Sequence, residues 1–171
     1  MAQATLDTPV DVLNYALTLE HLEHAFYRDG LTRFSADDFA AVGYAPVVYD
    51  YLGLIRDHER DHVDTIVSVI DSLGGEPVEE ATYDFGYADL AGFVGVAQAL
   101  ENTGVAAYQG AAGSLIDEPE LLTAALTIHG VEARHAAYLN GLAGASPFPA
   151  AVNETLSPDE VLAIAGPFIV S

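Results

Sequence analysis

Apolar residues recur at intervals of three and four along four long stretches of the chain, which is the spacing of helices that bury one face. In two of these stretches the apolar face also carries a glutamate and, three residues later, a histidine: Glu59 with His62, and Glu132 with His135. The apolar neighbours on these faces are Leu52, Ile55, Ile66, Val69 and Leu73 in one stretch and Leu121, Ala125, Ile128, Leu139 and Leu142 in the other. The pattern predicts an all-α protein whose core contains ionisable groups.

Capping residues and glycines predict where the helices begin and end. The long helices are expected from Thr8 to Gly30, from Pro46 to Gly74, from Asp89 onward, and from Asp117 to about Gly144. Ser35 and Ser157 are expected to cap two short helices, the second of them ending near Ala165.

The stretch from Glu76 to Asp89 contains Pro77 and Gly86 and has no helical periodicity. As an extended segment of about 14 residues it can travel ~45 Å, the length of a long helix. It therefore predicts a crossover that leaves the second and third long helices as parallel neighbours. Residues 1–145 are expected to form a four-helix bundle, and residues 146–171 a tail whose short helix packs on the bundle or on a neighbouring subunit.

The first and third long helices repeat one another. Glu20 is followed seven residues later by Tyr27, and Glu101 is followed by Tyr108 at the same spacing. Each of these helices precedes one with a Glu-x-x-His pair, so the chain contains two copies of a helical pair. Folding the copies around a two-fold axis brings four glutamates and two histidines into one core.

Buried carboxylates need a cationic partner. An isolated ionised carboxylate in an apolar interior costs several kcal/mol, so it normally protonates, pairs with a cation or binds a metal. The chain has no lysine and five arginines, most of which project away from the apolar faces. Residues three apart share one helix face, so each Glu-x-x-His pair can converge on one ion. A divalent metal is therefore the expected partner.

This order of residues resembles the ferritin-like superfamily of di-metal carboxylate proteins. More narrowly, Leu13–Glu20, Glu132–Ala137 and the tail from Leu156 to Phe168 look like the ferritin-like family that includes plant desiccation-related proteins. The resemblance implies a four-helix bundle with a long crossover between helices two and three. It also implies a site for two iron or manganese ions that meets dioxygen or peroxide.

Carried onto this sequence, the resemblance implies six metal ligands and two tyrosines that bond to ligand carboxylates across the bundle. The ligands are Glu20, Glu59, His62, Glu101, Glu132 and His135, with Glu59 and Glu132 placed to bridge; the tyrosines are Tyr27 and Tyr108. The two tyrosines are equally well explained as ordinary core aromatics.

Several neighbouring residues leave alternatives open. Glu23 and His24 also lie near the inward face of the first helix, so Glu23 is an alternative or additional ligand, although the repeat favours Glu20. His58 and His129 either contact the ligands or, as we favour, lie at the surface or the core boundary. His21 is expected to be exposed.

Charge and composition narrow the classes of partner. With 26 acidic and 5 basic residues the formal charge is −21, which excludes nucleic acids and anionic membrane surfaces as expected partners. Cysteine is absent, so any metal must use oxygen and nitrogen ligands. The absence of lysine and the acidic excess look like a halophile's protein, and the absence of a signal sequence or long apolar run favours the cytoplasm.

The leading hypothesis is a di-metal protein that acts in oxygen or peroxide chemistry or in iron oxidation. Its expected role is stress protection, and it is expected to assemble as a homo-oligomer. Whether it is an enzyme, such as a ferroxidase, peroxidase or catalase, is left open by the sequence. The alternative is a non-catalytic structural or assembly protein related to desiccation-related proteins, motivated by the apolar tail from Val161 to Val170.

Overall fold

The computed structural model describes residues 6–170, which are mainly helical. The long helices are α1 (Pro9–Arg33), α3 (Val47–Ser72), α4 (Leu90–Ala111) and α5 (Pro119–Leu142), and the short ones are α2 (Ala36–Ala41) and α6 (Pro158–Ala165). Single 3-10 turns follow α4 (Ala112–Leu115) and α6 (Gly166–Phe168). Within these residues the sole β-type pairing is an isolated antiparallel bridge between Tyr83 and Ile169. The predicted all-α, four-helix architecture is confirmed.

Capping boxes fix three of the helix starts. Thr8, Ser35 and Ser157 each accept a hydrogen bond from the backbone N–H three residues later, and the acidic residue there bonds back to the cap. Asp89 caps α4 by accepting from the Gly92 N–H at 2.8 Å. These side chains satisfy amide groups that have no partner within the helix, which explains why the helix starts follow the sequence so closely.

The bundle is built from two helical pairs. Helix α1 packs most extensively on α3, α4 packs on α5, and the two pairs meet mainly where α1 contacts α4. The expectation that the second and third long helices are neighbours is therefore wrong, because α3 packs mainly on α1 and α4 packs mainly on α5. Close approach of α1 and α4 depends on Gly30, where an added Cβ would lie 2.0 Å from the ring of Phe93.

The crossover between α3 and α4 is anchored along α1. The Asn14 amide donates to the carbonyl of Glu76 at 3.0 Å and accepts from the Val78 N–H at 2.8 Å. His21 Nε2 lies 3.1 Å from the Val78 carbonyl, so this residue is half-buried under the crossover and the expectation that it is exposed is wrong. Arg33 donates to the carbonyls of Tyr87 and Ala88.

The C-terminal tail lies against its own bundle. The Leu156 N–H donates to the Ala106 carbonyl at 3.3 Å, and Val161 and Ala165 are buried on the α4 side. Farther along, the Phe168 carbonyl accepts from the Asp84 N–H at 2.9 Å, and the Val170 N–H donates to Thr82. The tail therefore covers α4 and the crossover.

None of the helices in the described part of the chain has the length and apolar character needed to cross a membrane.

Candidate metal centre

Each long helix carries one fully buried glutamate at the middle of the bundle. Glu20 on α1, Glu59 on α3, Glu101 on α4 and Glu132 on α5 all have 0% exposed surface. One turn beyond Glu59 and Glu132 lie His62 and His135, which are also buried. The structure thus brings together all six residues that the resemblance implied as ligands.

The first group of ligand atoms surrounds His62. Its Nδ1 atom lies 3.0 Å from Oε2 of Glu59, 3.2 Å from Oε2 of Glu20 and 3.2 Å from Oε1 of Glu132. The second group surrounds His135, whose Nδ1 lies 2.9 Å from Oε1 of Glu59 and 3.3 Å from Oε2 of Glu101. Within each group one atom from each of four residues lies within 4.8 Å of the others.

Glu59 and Glu132 belong to both groups, and Glu59 presents a different oxygen to each. Two carboxylates shared by two nitrogen-containing groups would be able to hold a pair of ions side by side. The donor set contains only carboxylate oxygen and imidazole nitrogen, which suits iron and manganese.

Several of these atoms are buried without a hydrogen-bond partner. They are Oε1 of Glu59, Oε2 of Glu101, both side-chain oxygens of Glu132 and Nδ1 of His135. Some lie near 3 Å from one another, yet their angles do not fit a hydrogen bond. Unpaired buried polar atoms are rare and costly, and atoms that converge without bonding to each other are placed to bind a cation between them. The residues therefore fit a metal site.

Two tyrosines hold ligand carboxylates from the opposite helical pair. The Tyr27 hydroxyl on α1 donates to Oε1 of Glu101 on α4 at 2.6 Å. The Tyr108 hydroxyl on α4 donates to Oε1 of Glu20 on α1. Burial raises the pKa of both phenols well above the usual value, and the bonded carboxylates raise it further, so both stay protonated donors. Each bond leaves the second oxygen of its carboxylate for the centre.

Electrostatics in the centre favour protonation when no metal is bound. Burial raises the pKa of Glu59 to about 7, with Glu101 adding to the shift. Burial and the charges of Glu59 and Glu101 raise the pKa of Glu132 well above its usual value. Burial alone would lower the pKa of His62, but its three close carboxylate neighbours, Glu132, Glu20 and Glu59, outweigh burial and raise the pKa to about 12.

His135 behaves in the same way: its burial alone would lower its pKa, but the close carboxylates of Glu101 and Glu59 outweigh burial and raise the pKa to about 9. Without a metal, the two imidazoles therefore tend to stay protonated beside the carboxylates and partly balance their charge. Among residues 6–170 the arginine ion pairs are all formed with surface acids, such as Arg28 with Glu80 and Arg56 with Asp57, each at 2.9 Å.

Glu23 is a fifth buried carboxylate, 3% exposed, but it belongs to neither ligand group. It lies on the far side of Glu132: a Cβ added at Gly104 would be 3.1 Å from Oε1 of Glu23 and 3.2 Å from Oε2 of Glu132. Burial raises its pKa well above the usual value, and Glu132 and Glu101 raise it further. His24 is half-buried, outside both groups, and its pKa is lowered by burial and by Arg28.

His58 is exposed, as the favoured interpretation expected, and it also contacts a ligand histidine. Its Nδ1 lies 3.0 Å from Nε2 of His135, the nitrogen that faces away from the carboxylates, and the two rings stack with centroids 5.2 Å apart. A ligand histidine usually bonds through its second nitrogen to a neighbour that fixes its orientation. The one feature of the sequence that pointed to this contact was the position of His58 next to Glu59. Helical periodicity alone assigns His58 to the surface. His129 is half-buried and lies in neither group.

An opening of about 280 Å³ leads from solvent to this end of the centre. It is lined by residues of α3 and α5: His58, Asp61, His62, Val131, Arg134 and His135. The two ligand histidines therefore form the inner wall of a passage between α3 and α5 that is lined mainly by ionisable residues.

Comparison with known proteins supports the same assignment. A family model described as a ferritin-like domain matches residues 8–145. The chain is also 27% identical over 160 residues to Protein rds1 of Schizosaccharomyces pombe, an alignment that covers 92% of this chain and 38% of the relative. The chain thus spans well under half of that relative's length. Because the family match extends over all four long helices, the chain belongs to the ferritin-like domain family.

Proposed function

We propose that this protein holds two iron or manganese ions between Glu20, Glu59, His62, Glu101, Glu132 and His135, and uses them in oxygen or peroxide chemistry or in iron oxidation. A role in protection against oxidative stress would follow from that chemistry. The observation that carries the proposal is the pair of four-residue ligand groups that share Glu59 and Glu132.

Charge favours two ions over one. Four ligand carboxylates balance two divalent cations, whereas a single divalent ion would leave two buried negative charges uncompensated. Each group also supplies one imidazole and three carboxylates, so neither half of the centre is poorer in ligands than the other. Iron and manganese accept this oxygen and nitrogen set equally well.

The protein's own residues prepare the centre for this role. Tyr27 and Tyr108 restrain the carboxylates of Glu101 and Glu20, and His58 restrains the ring of His135. The opening beside His58 and Asp61 gives ions and peroxide a route to the two histidines that is lined mainly by ionisable residues. Redox-active ions bound here would exchange electrons with dioxygen or peroxide.

Metal content tests the proposal directly. Protein produced with iron and manganese and purified without chelator is analysed by plasma mass spectrometry beside a Glu59→Gln, Glu132→Gln double variant. We expect about two ions per chain in the wild type, since both shared ligands are intact. The double variant should lose both, because each group then keeps one carboxylate and one histidine.

The matched control is Glu79→Gln with Glu154→Gln, two exposed acids whose removal changes the net charge by the same amount. It should keep the wild-type metal content. Equal metal in all three proteins, or none in the wild type, would contradict the proposal. With metal bound, consumption of dioxygen by ferrous-loaded protein and of hydrogen peroxide decides which chemistry the centre performs.

A structural or assembly role without metal has less support. Its motivation was the apolar tail, but Val161 and Ala165 are buried against the tail's own bundle. The buried unpaired carboxylates would also have no purpose in such a protein.

A further inference from the structure

A second, apolar cavity lies next to the metal centre along the bundle axis. It is bounded by all four long helices and by the turn after α4, and its lining includes Ala16, Ile66, Tyr108 and Ile128. Ala16 lies one turn before Glu20, Ile66 one turn after His62, and Ile128 one turn before Glu132. One turn is ~5.4 Å, so the cavity begins directly beyond the ligands.

Tyr108 separates the cavity from the centre. Its ring lines the cavity, while its hydroxyl donates to the Glu20 carboxylate. The opposite end approaches solvent between α3 and α5, where Thr65 and Ala124 are exposed. This end lies one to two turns along the same helices from the opening beside His58. The centre therefore has two approaches of different chemistry.

The lining gives water almost nothing to bind. The Thr65 hydroxyl already donates to the Asp61 carbonyl at 2.7 Å, and the Tyr108 hydroxyl already donates to the Glu20 carboxylate. Tyr15 has the one unpaired hydroxyl in the lining. A buried water needs about two to four polar partners, so a cavity of this composition stays dry and accepts apolar molecules.

Size narrows the occupant further. The cavity volume is about 50 Å³, enough for a small molecule. An apolar cavity of about 150 Å³ holds a benzene ring, so an organic ring does not fit in a third of that space. Dioxygen is small, uncharged and apolar. Among the reactants of the proposed function it gains least from the ionisable residues that line the opening beside His58.

We infer that this cavity binds dioxygen and delivers it to the Glu20 side of the metal centre, past Tyr108. The inference rests on the proposed function. It assigns separate routes to the two oxidants, with dioxygen entering through the apolar cavity and the hydrogen-bonding peroxide molecule through the opening beside His58.

Xenon, a single apolar atom, tests the cavity without any metal. Crystals of metal-free protein are pressurised with xenon and its anomalous signal is located. We expect a xenon site between Ala16, Ile66 and Ile128 in the wild type. Ala125→Leu should abolish it, because the larger side chain fills the cavity from α5. Ala137→Leu is the matched control on the same helix outside the lining and should keep the site.

The delivery role is tested with ferrous-loaded protein in stopped flow. In Ala125→Leu the rate constant for reaction with dioxygen should fall several-fold, while that with hydrogen peroxide stays at the wild-type value. If Ala125→Leu does not fold, Ala124→Leu at the exposed rim covers the same entrance without strain in the core.

The outcomes separate this inference from the proposed function. Absence of xenon from the wild type, or a wild-type dioxygen rate in the filled variant, overturns the route and leaves the metal centre standing. Equal slowing with both oxidants also overturns it, because the two would then share one entrance. A ferrous-loaded wild type that reacts with neither oxidant overturns the proposed function and the route together.

Discussion

Tyr27 and Tyr15 lie on the same helix with buried hydroxyls, but only Tyr27 has a partner, the carboxylate of Glu101. A hydrogen bond to a charged group contributes about 1.5–3 kcal/mol, and its loss leaves the carboxylate short of a donor. We expect Tyr27→Phe to lower the free energy of unfolding of the metal-free protein by about this amount. Urea denaturation followed by circular dichroism measures the change.

Tyr15→Phe is the control for that experiment. It removes a buried hydroxyl that bonds to nothing, so the free energy of unfolding should stay equal or rise. Equal losses from the two substitutions would show that ring packing, and not the bond to Glu101, accounts for the effect.

Glu23 and Glu132 are neighbouring buried carboxylates with different expected roles. Burial and the neighbouring carboxylates raise the pKa of Glu23, which favours its neutral form, and Glu23 belongs to neither ligand group, so Glu23→Gln should keep the wild-type metal content. Glu132→Gln removes a carboxylate shared by both ligand groups and should lose most of the metal. Plasma mass spectrometry of the two variants, each with one Glu-to-Gln change, makes the comparison. Metal loss in Glu23→Gln would instead make Glu23 a ligand.

At this scale the sequence was most informative where a residue type is rare in its setting. Glutamates on apolar faces pointed to Glu59 and Glu132, and the repeat pointed to Glu20 and Glu101, which the structure places with them. The sequence could not predict the contact between His58 and His135, because it depends on how α3 and α5 are placed side by side. Helical periodicity predicts on which side of its helix a residue lies, but it does not predict which residues of other helices contact it.

At the scale of the elements, α4 contains two exposed glycines with opposite surroundings. A Cβ at Gly110 would lie 1.9 Å from the carbonyl oxygen of Leu156 in the tail, whereas a Cβ at Gly95 would meet nothing within 4 Å. Gly95→Ala should therefore raise the free energy of unfolding by about 0.5–1 kcal/mol, the usual gain at a helix interior. Gly110→Ala should lower it, because the tail backbone has to move away from α4.

Thermal unfolding of the two variants measures the difference, and limited proteolysis locates it. Cleavage of Gly110→Ala should become faster after residue 145 and stay unchanged within α1 to α5. Stabilisation by both substitutions would show that the tail does not depend on this close contact.

The same glycines show which parts of the fold could be predicted. Thr8, Asp89 and Ser157 are local signals, and they place the helix starts correctly because a cap acts within one turn. Gly30 and Gly110 act through residues distant in the chain, Phe93 and Leu156. The sequence therefore predicted Gly30 as the end of a helix that continues to Arg33, and Gly110 as a residue that weakens α4, but it could not identify either contact. The wrong expectation about neighbouring helices has the same origin: the length of the crossover sets its reach, but packing sets which helices touch.

At the scale of the whole molecule, the net charge of −21 produces self-repulsion that salt should relieve. The Debye length falls from about 10 Å at 0.1 M to about 3 Å at 1 M salt. We expect the melting temperature of metal-loaded protein to rise steadily over that range of sodium chloride. Sucrose at matched osmolarity should not reproduce the full rise, and a flat salt response would contradict an electrostatic origin.

The buried centre adds a pH dependence that salt cannot screen. Glu59 has a folded pKa of about 7 against an ordinary value of 4.5, so its stabilising protonation is complete below about pH 4.5 and lost as the pH rises through 7. His135, raised from 6.5 to about 9, likewise contributes below pH 6.5 and loses that contribution as the pH passes 9. The pKa values of Glu132 and His62 shift in the same direction.

Metal-free protein in ~1 M salt, where surface charges are screened, should therefore become less stable from pH 5 to pH 9. Melting temperatures across this range test the slope, which should flatten in the Glu59→Gln, Glu132→Gln variant because two of the titrating groups are gone. Saturating metal should reverse the slope, since the ligands bind only when deprotonated. An equal slope in the double variant would place its origin outside the centre.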